Sequence, residues 1–453
     1  MSREISPLDG RYAGRLRRLG DIFSEVALVR ARCRVELKWI EALSETGLFP
    51  PLSGDELDRV HRAGERFDDA DFLRIKEIEG RITHDVKACE RFLVEKLRLG
   101  QPHLVHFGLT SEDVNNLAYS LLLDEYRTRV QVPLVSELMS VLAVMTERWK
   151  TTPFPARTHG QLASPTTAGK EMAVFLWRLL RQCRALEAIR FPGKLGGATG
   201  NCSALHVAAP GVDWLDLSRR FVEGLGLAHN PVTTQIEDHD TWAEYFGLVA
   251  RINTIVLDLD RDCWSYVALG YLVQRAKEGE VGSSTMPHKV NPINFENSEG
   301  NVTLSNALLH ALSDKLCASR MQRDLSDSTV ERNMGVALAH SHLAIAETIE
   351  GLRKVEVDAD SCRRELEDAP ELLSEPYQTL LKTAGVDDPY ELLRRASRGT
   401  RLELADLHRL AADVDVPPDV RDRLVSLRVA DYVGLAPRLC DLVLEEYERS
   451  KKQ

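Results

Sequence analysis

Between residues 278 and 301 the chain reads EGEVGSSTMPHKVNPINFENSEGN, a stretch that crowds hydroxyls, amides, small residues and a cation together. Gly279 and Gly282 permit backbone angles closed to other residues, and Pro287 and Pro292 limit helix continuation. Between them Ser283, Ser284, Lys289 and Asn291 can present two hydroxyls, an ammonium and an amide to a small ligand, as an active-site loop would. A solvated surface loop is the plainer alternative for a Gly/Ser-rich stretch. A second candidate is His159, just past the turn TTPFP in the segment RTHGQ. Imidazole exchanges protons near neutral pH, although an isolated histidine is more often structural. A third is Thr110-Ser111-Glu112-Asp113, where a cap hydroxyl is followed three residues later by an acid. That pattern starts a helix, and the free N–H groups of a helix start also suit a carboxylate. His340 and His342 lie two apart on an expected helix, hence on different faces, and are not read as metal ligands.

The elements that must position these groups are helices. Apolar residues recur at three- and four-residue steps, and alternating strand patterns are scarce, so the class is all-α. The clearest seam runs through Trp242, Tyr245, Val249, Ile252, Val256, Leu259, Cys263, Tyr266 and Gly270. A second joins Val114, Leu117, Ala118, Leu121 and Leu122 to Val135, Leu138, Met139, Leu142 and Met145, with Pro133 as the expected kink. Further helices are expected over 302–316 and 329–353. Helices this long and this apolar on one side call for bundling, between subunits as well as within one, so a homo-oligomer is expected. Turn-rich HFGLTSED and the acidic stretch from Glu365 to Pro376 mark the boundaries of three domains: 1–112, a central long-helix domain 113–364 carrying the loop 278–300, and 365–453.

With 453 residues the chain is too long for one core. It has 58 Lys and Arg against 69 Asp and Glu, a net charge of −11 that opposes non-specific binding to nucleic acid or an anionic membrane. Its eight cysteines form no CxxC pair and no zinc spacing, which fits a reducing compartment. No signal-type apolar region and no apolar run approaching a membrane span is read, so a cytoplasmic protein without a membrane is expected. A Walker loop and a GxGxxG after a strand are also missing.

GSSTMPHKVNP resembles the signature loop of the fumarase/aspartase superfamily, whose members eliminate fumarate from a succinyl group. SPLDGRY (Ser6–Tyr12), THDVKA (Thr83–Ala88), TSEDVNN (Thr110–Asn116), RTHGQ (Arg157–Gln161), TTQIE (Thr233–Glu237) and QRDLSDSTVERN (Gln322–Asn333) resemble its adenylosuccinate lyase branch. The resemblance spans nearly the whole chain and is weaker beyond Glu365. It implies an all-α, three-domain fold whose central long-helix bundle assembles a tetrameric core with active sites shared between subunits. It also implies cleavage of adenylosuccinate to AMP and fumarate, and of succinyl-aminoimidazole-carboxamide ribotide (SAICAR) to AICAR, with no metal and no organic cofactor.

Such an elimination needs a base for a weakly acidic C–H, an acid for the leaving nitrogen, and donors for the carbanion's charge. The resemblance assigns the base to Ser283 and the acid to His159, oriented by Glu296. An ordinary serine is a poor base, so its alkoxide would need the amides of the Gly-rich turn and a cation such as Lys289. Carried over as substrate contacts are His84, Asp85, Thr110, Ser111, Gln235, Lys289, Asn291 and Asn297. Arg11, Tyr12, Arg323, Ser328, Thr329 and Arg332 fall to the nucleotide, a mixture of guanidinium and hydroxyl groups that fits phosphate and ribose. Surface ion pairs are the ordinary alternative for Arg323 and Arg332. The chain departs from the pattern at Thr83, where relatives often carry Asn, and at Glu331, where an apolar residue is common. Glu331 is expected to face outward, since an inward carboxylate would repel phosphate.

Overall fold

The computed structural model describes residues 4–275, 289–396 and 402–452. Ser283 and Ser284 lie outside the described residues. The architecture is helical, with long helices at Glu25–Ser44, Ser111–Tyr126, Val132–Trp149, Ala168–Ala188, Asp240–Ala268, Ile293–Leu316 and Met334–Lys354. Strands are confined to short pairs, among them the antiparallel Arg157–Thr158 with Gln161–Leu162 and the parallel Pro192–Gly193 with Ala228–His229.

The expected seam of Asp240–Ala268 is the buried face of that helix: Trp242, Tyr245, Val249, Ile252, Val256, Leu259 and Cys263 are sealed from solvent. Each such side chain contributes roughly 2 kcal/mol by leaving water. Tyr266 is only half-buried, and Gly270 lies past the helix end. Its φ of +76° belongs to the left-handed region that stops a helix.

Pro133 does not break the second helix. Residues Ser111–Trp149 run on as one helix, with a π-helical turn at Arg127–Gln131 immediately before the proline. Proline donates no hydrogen bond to the carbonyl four residues back, and the widened turn falls where that donor is lost. By length and composition this helix is apolar enough to cross a membrane, which reading the apolar runs alone did not anticipate. Half of its most apolar window is buried within the protein, as in a core helix. The helix expected over 302–316 begins earlier, at Ile293, where Pro292 precedes the first turn. The one expected over 329–353 divides into Ser326–Glu331 and Met334–Lys354.

The chain forms two compact units. One comprises Met1–Val135, Gln182–Thr254 and Gly300–Ile345, the other Ser136–Arg181, Ile255–Glu299 and Ala346–Gln453. Within the second unit, Leu366, Leu373, Tyr377, Leu381, Leu407 and Leu424 belong to a separate C-terminal hydrophobic cluster. All eight cysteines are free thiols.

Candidate active site

In the first unit, helix Glu25–Ser44 holds the turn that leads to Thr110. Its buried Glu36 accepts the His106 backbone N–H at 3.0 Å and meets His106 Nδ1 at 2.5 Å. Trp39 donates its indole N–H to the Phe107 carbonyl at 2.9 Å. The helix start is then fixed by Asp113, which accepts the Thr110 N–H at 2.8 Å. The same carboxylate accepts Lys194 Nζ at 2.8 Å and the N–H groups of Gly196 and Gly197. It therefore ties the Thr110–Ser111 start to the glycine-rich loop 194–203.

That loop in turn sets Gln235, whose amide donates to the Ala198 carbonyl at 3.0 Å. Gly200, at φ +76°, lies so close to the Thr233 and Thr234 carbonyls that a Cβ would collide with them. Gln235 Oε1 accepts from Arg323 at 3.3 Å, and Arg323 pairs with Glu112 at 2.9 Å. The structure thus joins Thr110, Gln235 and Arg323 through one run of contacts, with Ser111 next to Thr110 at the helix start. Nothing in the sequence analysis singled out the loop 194–203. Its spacing of three glycines between helical segments is the signal that marks it.

A neighbouring group gathers His84, Asp85, Ser328 and Arg332. His84 caps helix Asp85–Leu97 by accepting the Lys87 N–H on Nδ1 at 3.3 Å, which leaves its exposed Nε2 to carry the proton. Asp85 pairs with Arg32 at 2.9 Å and Arg332 at 3.4 Å. Burial works against its charge, but Arg32, the Val86 N–H and Arg332 outweigh it and hold Asp85 below the usual carboxylate range. Arg332 also donates to Ser328 Oγ at 3.2 Å. Arg32 was missed in the sequence. It is buried and bridges Asp85 to Asn115, whose Oδ1 accepts at 2.9 Å. Thr329 is exposed, and Arg11 sits 5.9 Å from the ring of Tyr12 near the N-terminus. No described contact brings Arg11 or Tyr12 to Arg323. Arg332 does line a cavity of about 310 Å³ with Ser6, Asp9 and Ala13.

Glu331 corrects the expectation that it faces outward. It is 3% exposed and points at His239, Oε1 to Nε2 3.7 Å. The four-residue step along the short helix Ser326–Glu331 places it inward with Asp327, while Arg332 takes the exposed side. Burial, and then the nearby Glu112 and Asp327, push its carboxyl well above the usual range. A neutral acid costs far less to bury than a charged one and does not repel an anion.

In the second unit, His159 forms the tip of a hairpin. Thr158 pairs with Gln161, so His159 and Gly160 are a two-residue turn, at φ +53° and +76°. Two successive left-handed residues make the turn type that matches strand twist. Arg157 anchors it, donating to the Gly160 carbonyl and the Tyr271 hydroxyl, both at 3.1 Å, and pairing with Glu365. Burial and Glu365 push the Tyr271 hydroxyl up to about 12. The His159 ring is exposed and has no hydrogen-bond partner among the described residues. Glu296, on the first turn of Ile293–Leu316, accepts from the Trp264 indole at 3.0 Å. Lys289 is exposed, while Asn291 and Asn297 are half-buried on either side of Pro292 and that first turn.

Residues 10–305 match the model of the lyase family, and residues 319–433 match that of the adenylosuccinate lyase C-terminal domain. Curated relatives named adenylosuccinate lyase include those of Haemophilus influenzae, 44% identical over 96% of this chain and 98% of theirs, and of Escherichia coli, 43% identical over the same shares. Among solved structures, a 3-carboxy-cis,cis-muconate lactonizing enzyme from Pseudomonas putida covers 96% of this chain and 98% of its own, with TM-score 0.78 at 23% identity. A fumarate lyase from Mesorhizobium covers 95% and 97%, with TM-score 0.80 at 19% identity. These likenesses give the fold. The helical architecture, the signature motifs and the near full-length identity agree, and the chain belongs to the adenylosuccinate lyase family of the fumarase/aspartase superfamily.

Proposed function

We propose that the chain splits fumarate from adenylosuccinate, leaving AMP, and from SAICAR, leaving AICAR. The observation that carries this reading is the run from Thr110 through Asp113, the glycine loop and Gln235 to Arg323, which sets a helix start suited to a carboxylate beside a guanidinium suited to phosphate. In this reading Ser283 takes the Cβ proton. The charge that develops on the adjacent carboxylate is met by Lys289, the Thr110 hydroxyl, the Ser111 N–H and hydroxyl, and the amides of Gln235, Asn291 and Asn297. His159 gives its proton to the leaving nitrogen, so the C–N bond breaks without expelling an unstable anion. His84 serves the succinyl end, with Asp85 holding Arg332. Arg11, Tyr12, Arg323, Ser328, Thr329 and Arg332 serve the nucleotide. These steps call on no metal or organic cofactor.

The protein is further proposed to be a cytoplasmic homotetramer with domains at 1–112, 113–364 and 365–453, with active sites shared between subunits and Glu296 orienting His159. Exposed apolar side chains on the long helices, Val144, Val174, Trp177, Trp264 and Leu304, support burial by further copies of the chain. An ultraviolet assay of adenylosuccinate cleavage by the purified protein tests the activity. A protein inert there but active on argininosuccinate or aspartate would replace this reading with that of another fumarate-releasing lyase.

A further inference from the structure

Beneath Arg323 lies a group of buried acids that the proposed chemistry does not use. Glu112, Asp327 and Glu331 are each 3% exposed or less, and His239 is fully buried. Among the described residues, Glu112 Oε1, Asp327 Oδ2, Glu331 Oε1 and His239 Nε2 have no hydrogen-bond partner, and neither has Arg323 Nε. Orphaned polar atoms are rare in a protein interior, and so many in one place require a physical account.

The geometry around His239 supplies one. Its Nδ1 lies 3.3 Å from the Leu316 carbonyl, which can only accept, so Nδ1 carries a hydrogen. In neutral imidazole that leaves a lone pair on Nε2, facing the Glu331 carboxyl at 3.7 Å. Two acceptors cannot face each other in a buried site, so a proton must sit on one of them. Whether it resides on the carboxyl or on the ring, the pair holds one proton. Burial and the acids around it favour keeping that proton, and the arginines oppose them without outweighing them. Glu112 and Tyr119 face it from helix Ser111–Tyr126, Asp327 from its own helix, Arg32 from Glu25–Ser44, and Arg323 and Arg332 from the flanking turns. Asp238 and Asp240 flank His239. Arg323 is already held by Glu112 at 2.9 Å and lies 3.6 Å from Asp327, and Arg32 and Arg332 both pair with Asp85, so each of these cations already has a carboxylate without Glu331.

We infer that Glu112 and Asp327 are positioning residues for the Arg323 guanidinium, and that the proton held between Glu331 and His239 keeps this site receptive to an anion. Loss of that proton adds a buried negative charge behind Arg323. Anion binding and retention of the proton therefore favour each other. The inference rests on the proposed reading that Arg323 meets the phosphate of the nucleotide.

The test is AMP binding to the full-length protein by titration calorimetry from pH 7 to 9.5, where the phosphate, with its second pKa of about 6, stays doubly charged. In the unaltered protein affinity is expected to fall at least about tenfold across that range, one pH unit of linkage. Binding in two buffers of different ionisation enthalpy should show proton uptake in the falling region. Glu331→Gln, which keeps a neutral side chain able to donate to His239 Nε2, should flatten the profile to within about twofold and abolish the uptake. His239→Gln, which removes the basic partner and leaves the Glu331 carboxyl titratable, should keep a falling profile with its midpoint moved. A pH-independent affinity in the unaltered protein, or a profile unchanged in either variant, overturns the inference and leaves the proposed activity standing. Failure of AMP to bind, together with no cleavage of adenylosuccinate, overturns both.

Discussion

The Lys194 ammonium meets the Asp113 carboxylate at 2.8 Å where the two side chains are 1% and 0% exposed. Coulomb attraction offsets the cost of removing both charges from water only because the remaining lone pairs of Asp113 are also filled, by Gly196, Gly197 and Thr110. Lys194→Met should therefore destabilise the protein by about 3 kcal/mol, since it strands a buried carboxylate. Urea unfolding measures this directly. Because the same carboxylate fixes Thr110 and the glycine loop, the variant's remaining folded fraction should also show a raised KM, and a normal KM would separate the pair from the site.

Thr83 closes helix Asp69–Ile82 at φ +53°, where a β-branched side chain is strained. Asparagine tolerates this conformation. Thr83→Asn is expected to stabilise the chain by about 1 kcal/mol, with the urea midpoint rising at unchanged slope.

Asp260 sits in the second unit with the Thr348 hydroxyl at 2.8 Å and Ser298 beyond it, and burial pushes its carboxyl up to about 8. A folded-state pKa above the unfolded one means that the native protein holds a proton the unfolded chain lacks. The stabilisation is present in full in acid and is lost as pH rises towards 8. Asp260→Asn should therefore raise the melting temperature by a few degrees at pH 8 and leave it nearly unchanged at pH 4. An equal shift at both pH values would contradict the assignment.

Ser283→Ala and His159→Ala should each lower turnover by several orders of magnitude while leaving AMP binding nearly intact. Near-normal turnover in either variant would remove that residue from the proposed chemistry.

How much of this was visible in the chain itself depended on distance along it. The seam from Trp242 to Cys263 and the start at Thr110 were legible because a helix period and a cap are written in neighbouring residues. The π turn before Pro133 was not, since a proline signals a lost donor without saying how the backbone absorbs it. Glu331 was read as outward because an unpaired acid near phosphate is costly. Its raised carboxyl pKa depends on burial and on Glu112 and Asp327, which only the fold brings together. Likewise, nothing local predicts that Lys194 belongs to Asp113, 81 residues away. Eleven of the carried-over contacts, Arg11, Tyr12, His84, Asp85, Thr110, Ser111, Gln235, Arg323, Ser328, Thr329 and Arg332, fall in one unit, whereas His159, Lys289, Asn291, Glu296 and Asn297 fall in the other.

The tight turn at His159 also constrains how this chain can diverge. Its loop is as short as a hairpin allows, so side-chain identity and chain length are separate requirements there. One inserted residue between Thr158 and Gln161 would slip the strand pairing and exchange the faces to which its side chains point, even with the histidine retained. Length variation in descendants of this sequence should therefore be tolerated elsewhere on the surface but excluded from these four residues, making the spacing of RTHGQ as heritable a feature as the imidazole it carries.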